Sequence, residues 1–378
     1  MRRSLLSSSA TVLALGLAAA ACSHSAAPAT LAPAPPPPPA APAASATPML
    51  ALLGQFTAPN VPALGPVEAG PTPRTWPEPT SVPAWPGKGL AQHPMLYAGE
   101  GYNTIFLVNE GNVIWTYSTG RGGEIDDVWM LSNGHVLYAR QHHVEEVTPQ
   151  KELVWHYEAP PGTEIHSCQP LGLDRVLLVQ NGLPPKLMII DKQTRAVTLE
   201  HELPAVSLTD PRTVHPQFRR IRMTAQGTFL LPFLKLGKVV EYDKDWKEIW
   251  SYAIPTPWAA VRLHNGNTLI ADEHDKLVRE VSPKGETVWE IKQADLPPGL
   301  VLHNIQTTDR LANGNTVLFS CTGGVKREDR PNVIQALEVT PDKKVVWVLQ
   351  DWKNLGPGTT AQFLDQPGIP EHPGELQH

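Results

Sequence analysis

Between Leu263 and Ile291, apolar and polar positions alternate in three short runs separated by turn residues. Leu269-Ile270-Ala271 follows the turn Asn265-Gly266-Asn267. Leu277 to Val281 comes next, and Thr287 to Ile291 follows Pro283-Lys284-Gly285. A period of two bounded by Gly, Pro and Asn predicts consecutive β-hairpins. Trp258-Ala259-Ala260-Val261, just ahead, supplies a fourth strand.

The same pattern recurs along the chain. A partial copy holds Met95-Leu96-Tyr97, Thr104 to Val108 and Asn112 to Tyr117. A complete one runs from Glu124 through Gly134 to Tyr157. A third runs from Glu164 to Val197, with Thr198 standing where the other copies have tryptophan. A fourth spans Gln217 to Tyr252, and a sixth His303 to Val348, with a longer loop at Thr322 to Pro331. Units of about 40 residues suit four-stranded propeller blades. The first copy lacks its innermost strand, and Thr359 to Leu364 is an orphan that aligns with innermost strands. The expected fold is therefore all-β, a six-bladed β-propeller of four-stranded blades closed by a C-terminal strand that completes the first blade. Trp115, Trp155, Trp250, Trp289 and Trp347 share one outer-strand position and read as wedges between blades.

Composition adds two segments ahead of the repeats. Residues 1–22 begin with Arg2 and Arg3, continue as an apolar run and end in small residues at Cys22. This is a signal peptide. Its end resembles a bacterial lipobox, which would make Cys22 a lipidation site, although Ala19 stands where leucine is usual. Residues 23–86 hold nearly half of the 40 prolines and are expected to be a disordered tether, with 87–378 forming the propeller. Within the tether, Met49-Leu50-Ala51-Leu52-Leu53 is open to reading as a helical turn or an apolar patch. The expected location is the periplasm or outer cell envelope, with the membrane reached only through the lipid anchor. A net charge of −6 gives no electrostatic support to a nucleic-acid partner. Cys168 and Cys321 fall in the third and sixth blades, across the ring, and are expected to be free buried thiols.

Chemistry is expected at one mouth of the central channel, lined by the loops that enter the innermost strands. Those segments carry Glu124 to Asp127, Glu164 to Cys168, His215 to Arg222, Thr256 to Trp258 and His303 to Gln306. His142, His143, Glu273 and His274 come from loops on the same face. Arg219, Arg220 and Arg222 are candidate donors to an anion. His166, His215 and His303 are candidate catalytic residues, as nucleophiles or proton shuttles. Trp258 is a candidate stacking face, and Asn304, Gln306 and Asp126 are candidate polar contacts. Plain structural pairing of these groups within a wet channel is the competing reading. No metal is expected, because no ligand set has a recognised spacing.

The repeat unit, especially SPKGETVW (Ser282 to Trp289), resembles the repeats of quinoprotein-like (PQQ-like) β-propellers. EIHSCQP (Glu164 to Pro170), FRRIRMTAQGTFLLP (Phe218 to Pro232) and PWAAVRLHNGNTL (Pro257 to Leu269) are similar to segments of exported bacterial PQQ-like repeat proteins. The resemblance implies a fold, not quinone chemistry. Quinoprotein dehydrogenases have eight blades and an adjacent cysteine pair, which this chain lacks, so bound PQQ and other cofactors are not expected. The repeat type also resembles the lipoprotein scaffold of the outer-membrane β-barrel assembly machinery. His303-Asn304 ahead of Leu311 to Leu318 resembles a short His-bearing strand of bacterial arylsulfotransferases. These readings lead to a monomeric, tethered propeller that binds a small polar or anionic ligand, or an envelope protein, at its His/Arg-rich mouth. The alternatives are a periplasmic transferase or lyase using the mouth histidines, and an envelope assembly scaffold.

Overall fold

Six antiparallel four-stranded sheets contain the named strands of the computed structural model, which describes residues 49–56, 83–99, 103–119, 123–323 and 325–378. The signal segment, Cys22 and most of the tether lie outside the described residues. Numbered along the chain, blade 2 holds Ile125–Met130, Val136–Arg140, His143–Val147 and Leu153–Glu158. Blade 3 holds Glu164–Leu171, Arg175–Asn181, Lys186–Asp191 and Val197–Glu202. Blade 5 is Pro257–Arg262, Thr268–Asp272, Leu277–Val281 and Thr287–Lys292, the unit legible in the hydrophobic pattern. Blade 6 begins with Asn304–Arg310. Blade 4 is the least regular, its innermost regular strand reduced to Arg222–Met223.

Blade 1 is completed from the other end of the chain. Thr360–Phe363 pairs antiparallel with Met95–Ala98, with Met95 opposite Phe363 and Ala98 opposite Thr360. This joins the two ends of the ring through backbone hydrogen bonds and gives blade 1 its fourth strand.

Burial follows position within each blade. In blade 5, Thr268–Asp272 is buried throughout, whereas Thr287–Lys292 is largely exposed or half-buried. Inner strands are sandwiched between neighbouring blades on both faces and therefore lose the strict alternation that marks the outer strands. Cys168 and Cys321 are both buried.

The tryptophans wedge between blades with a defined set of partners. Trp289 Nε1 donates to the Pro341 carbonyl at 2.8 Å, Trp115 to Pro149 at 2.8 Å and Trp347 to Gly89 at 2.7 Å. Each acceptor belongs to the following blade or its approach. In blades 2, 4, 5 and 6 a buried glutamate lies directly across the ladder from the tryptophan: Glu146, Glu241, Glu280 and Glu338. Each accepts a cationic or imidazole side chain from the next blade, namely Lys192, Arg262, Arg310 and His93. Arg262 also lies over Trp250 and Arg310 over Trp289. The repeat thus encodes an aromatic and ionic clamp between successive blades. In blade 3 the ladder places Leu199, not Thr198, opposite Ile189 at the tryptophan's register. The register shift beside this position recurs in the other blades, whereas the turn of blade 3 from Ile190 to Val197 is one residue longer than that from Val147 to Leu153.

Two stretches correct the tether boundary. Met49–Gln55 forms a 3₁₀ helix. Met49, Leu52 and Phe56 are buried in the core shared by blades 1 and 2, with Phe56 edge-on to Trp115 at 5.4 Å. The apolar spacing of this short segment is satisfied by docking, which a purely disordered tether would not show. Trp85 likewise donates to Gln350 Oε1 at 2.6 Å.

His93 clasps the seam of the ring. Its Nε2 lies 3.1 Å from Glu338 of blade 6, and its Nδ1 lies 3.1 Å from Asp365, just past the closing strand. Burial opposes its protonation, but the bonds to Asp365 and Glu338 outweigh that and raise its pKa from 6.5 to about 9. The sign follows by linkage: the clasp stabilises fully below the unfolded value near 6.5 and is lost as pH rises through about 9. Asp365 is partly solvated, so the contribution is on the order of 2 kcal/mol. Thermal melts should show wild type losing stability between pH 6.5 and 9.5 more steeply than His93→Gln. Parallel pH profiles would rule the clasp out.

Candidate functional site

Four of the six innermost strands enter the ring with an irregularity at nearly the same place. Register shifts fall between Ile125 and Asp127, Ile165 and Cys168, Pro257 and Ala259, and Ile305 and Thr308. The residues displaced there are Asp126, His166 with Ser167, Trp258, and Gln306 with Thr307. A bulge bends its strand and re-aims the side chains it carries. Blade 4 uses a longer departure, Phe218 to Ile221, between an isolated bridge at Phe218 and the strand at Arg222.

Two layers of polar side chains result. The outer layer, at the strand starts, is centred on His166. This imidazole is 2% exposed. Its Nδ1 lies 2.7 Å from Asp126 Oδ2 and 3.3 Å from Glu124 Oε2, and its Nε2 lies 2.9 Å from Glu164 Oε2. The same Glu164 oxygen lies 2.8 Å from His215 Nδ1. The two rings meet edge to face with centroids 5.3 Å apart. His215 Nε2 is 3.6 Å from Glu124 Oε1 and 3.0 Å from an Arg219 guanidinium nitrogen. His215 is half exposed, with 46% of its side chain accessible, and forms the open side of the cluster.

Electrostatics bind this layer together. Burial and the Arg219 charge push His166 down, but Asp126, Glu124 and Glu164 outweigh them and raise its pKa to about 9. Burial opposes ionisation of Glu124, yet His166, Arg219 and His215 pull it down to about 2. Glu164 is also held well below the usual range, its burial outweighed by the bonds from both histidines. Asp126 moves the other way, raised by burial and by the charge of Glu124. Three carboxylates thus face two fixed or favoured cations, Arg219 and His166.

The deeper layer is a buried ion network. Arg222 grips Asp127 with both terminal nitrogens, at 2.8 and 2.9 Å, and lies 4.8 Å from the Trp129 ring centroid. Arg220 is fully buried, with Asp127 at 3.5 Å, Asp309 at 3.6 Å and Thr360 as a further partner. Burial and the neighbouring Arg222 lower its pKa to about 10. His378 completes the layer. Its Nδ1 is 3.2 Å from Asp309, its Nε2 3.3 Å from Arg220, and its carbonyl accepts from Arg222 Nε at 3.0 Å.

The segment leading to His378 crosses the opposite face, where turns leave the innermost strands. Glu371 accepts from Ser132, the Glu371 carbonyl from Gly172 N, the Gly374 carbonyl lies 2.9 Å from His264 Nε2, and the Gln377 carbonyl accepts from Arg310 N. Polar groups on that face are thereby taken up internally.

The candidate residues therefore part company. Asp126, His166, His215 and Arg219 converge. Arg220 and Arg222 belong to the deeper network, where Asp127 and Asp309 neutralise them, so they do not present free donors to an anion. Trp258 is 1% exposed with Arg219 over its ring at 5.6 Å, so its face is covered and not a stacking platform. His303 lies 2.7 Å from the Gly323 carbonyl, within blade 6. Asn304 pairs through its backbone with Cys321. Gln306 is buried, its Oε1 without a hydrogen bond among the described residues. Glu124 and Glu164 lay in the expected mouth segments but were not singled out, and Asp127, Asp309 and His378 complete the deeper network. The flanking position of Glu124 and Glu164, two residues before Asp126 and His166, was the signal available in the sequence.

No protein-family model matches the chain, and no curated protein matches it. Solved structures do. A protein of unknown function from Bacteroides caccae aligns with a TM-score of 0.63 and 22% identity, covering 71% of this chain and 97% of that one. Virginiamycin B lyase from Staphylococcus aureus aligns at 0.47 and 10% identity, covering 71% and 88%. BamB from Moraxella catarrhalis aligns at 0.38 and 16% identity, covering 61% and 67%. At these identities the likeness concerns the fold: the chain is a six-bladed β-propeller.

Proposed function

We propose that this chain is an exported propeller, lipid-anchored through Cys22 and of the PQQ-like repeat type, that binds a ligand or protein partner at the His166 mouth. The observation that carries the reading is the convergence of Glu124, Asp126, Glu164, His166 and His215 on one face, with His215 exposed. The opposite face is occupied by the chain's own residues 366–378. Because Arg220 and Arg222 are neutralised from below, the geometry favours a cationic group over the anion expected from the sequence. Binding is favoured over nucleophilic catalysis, since both His166 nitrogens are engaged by carboxylates and His303 is held by Gly323.

Thermal-shift measurements on the full chain with small amines (ethanolamine, putrescine) and with sulfate or phosphate test this reading. The amines should stabilise wild type but not Glu124→Gln or His215→Ala. Stabilisation by the anions alone would overturn the preference. For the anchor, Cys22→Ser should move the protein from the membrane to the soluble fraction. Unchanged membrane association would remove Cys22 from the account.

A further inference from the structure

The outer cluster has the geometry of a metal site. Glu124, His166 and His215 each offer one donor atom, and these lie within 4.8 Å of one another. Donors about 2.0–2.1 Å from a tetrahedral ion stand roughly 3.3 Å apart. Glu124 Oε2 lies 3.3 Å from His166 Nδ1 and Glu124 Oε1 lies 3.6 Å from His215 Nε2, so each carboxylate oxygen faces one imidazole and the three donors would draw inward on an ion from a spacing of at most 4.8 Å. Asp126 Oδ2, 2.7 Å from His166 Nδ1, is the next oxygen within reach.

The outer partners of the two imidazoles strengthen this reading. One oxygen of Glu164 faces both His166 Nε2 and His215 Nδ1, at 2.9 and 2.8 Å. A carboxylate accepting from these nitrogens aims the remaining ones, His166 Nδ1 and His215 Nε2, toward Glu124. Metal-ligating histidines are commonly oriented by such a carboxylate on the far nitrogen. His215 Nε2 also faces an Arg219 terminal nitrogen at 3.0 Å. Arginine only donates, so that His215 nitrogen carries a lone pair, which accepts from Arg219 and becomes available to an ion when Arg219 is displaced. Arg219 Nε makes no hydrogen bond among the described residues, so the guanidinium is incompletely held where it stands.

We propose that Glu124, His166 and His215 bind a divalent transition-metal ion of the zinc class, with Glu164 orienting both histidines. Two imidazoles with carboxylates suit zinc, cobalt or nickel better than magnesium or calcium, which favour all-oxygen sets. The ion takes the place of the proton on His166 Nδ1 and of the Arg219 contact on His215 Nε2. Arg219 is the internal cation that an arriving ion displaces. The inference deepens the mouth-binding reading and rests on it in part, since the open side at His215 is the route of entry.

Calorimetry of chelator-treated full chain with Zn²⁺, supported by Co²⁺ absorption spectra, tests the site. One Zn²⁺ per chain is expected, with Mg²⁺ and Ca²⁺ binding at least tenfold more weakly. Glu124→Gln and His215→Ala should each weaken Zn²⁺ by at least tenfold. Glu164→Gln should weaken it about 10–100-fold, as removal of an orienting partner does. Arg219→Gln should tighten it, a response that a purely structural role for the cluster does not produce, and His303→Gln should leave it unchanged. His215 is exposed enough for its variant to fold, which circular dichroism would check. Absence of saturable one-to-one binding, or equal affinity in Glu124→Gln and His215→Ala, would overturn the proposal. If Zn²⁺ fails while amines still stabilise through Glu124, the metal inference falls and mouth binding stands. If Zn²⁺ binds as stated while no amine acts through the mouth, the metal site stands and the amine-binding reading falls.

Discussion

Asp127→Ala is expected to destabilise the fold by about 3–5 kcal/mol, the cost typical of removing one partner from a buried ion pair. Asp127 is fully buried, holds Arg222 through two hydrogen bonds and faces Arg220 at 3.5 Å. It also accepts from Cys168 N at 3.2 Å. Its loss leaves two guanidinium groups buried, with Asp309 remaining 3.6 Å from Arg220. Urea unfolding of Asp127→Ala, of Arg222→Leu and of the double variant separates the contributions. The double variant should lose less than the sum of the singles, because Asp127 and Arg222 are then both absent and neither leaves the other unpaired. Strict additivity, or a loss under 1 kcal/mol for Asp127→Ala, would show that the pair does not hold the centre of the ring.

Trp347→Ala should cost a similar amount, about 3–5 kcal/mol, from the lost side-chain burial and the cavity left behind. Trp347 is fully buried at the seam between blade 6 and blade 1. It donates to the Gly89 carbonyl and lies edge-on to His93 at 5.1 Å and to Phe363 at 6.4 Å. Phe363 belongs to the closing strand, so the substitution loosens both the clasp and the strand that completes blade 1. Trp250→Ala is the comparison. That ring is only half-buried, with Arg262 over it, and its loss should be smaller. Matched denaturation curves of the two variants decide the point, and equal losses would mean that the seam carries no special load.

The outcome at the seam shows what the repeat pattern could and could not convey. Strand positions in blade 5, the six-fold count and the pairing of Thr360–Phe363 with Met95–Ala98 all follow from alternation, turns and one orphan strand. The tryptophans were legible as wedges because their spacing is fixed. Their glutamate partners are not marked in the pattern, because a glutamate in the third strand of a blade reads as solvent-facing until the next blade's lysine, arginine or histidine is placed against it. The segment Met49–Gln55 was legible as apolar but not as docked, since its partner Trp115 lies far away in the chain.

The mouth was legible as a region, but the division of its charges was not. Arg219, Arg220 and Arg222 look alike in sequence, three cations within four residues. The irregular entry of blade 4 sends Arg219 to the histidine layer and Arg220 and Arg222 to Asp127 and Asp309. Only that division turns an apparent anion site into a carboxylate-rich one. His166 and His215 were named among several histidines, but nothing in their separation indicated that Glu164 would bridge them.

The sequence by itself determined the blade, the number of blades and the closure, because those depend on local alternation and turn chemistry repeated at a fixed interval. The tertiary structure alone decided which charges neutralise one another and which histidines meet. Such pairings join residues of different blades at the ring's centre, and a bulge of one residue in an innermost strand is enough to choose between them.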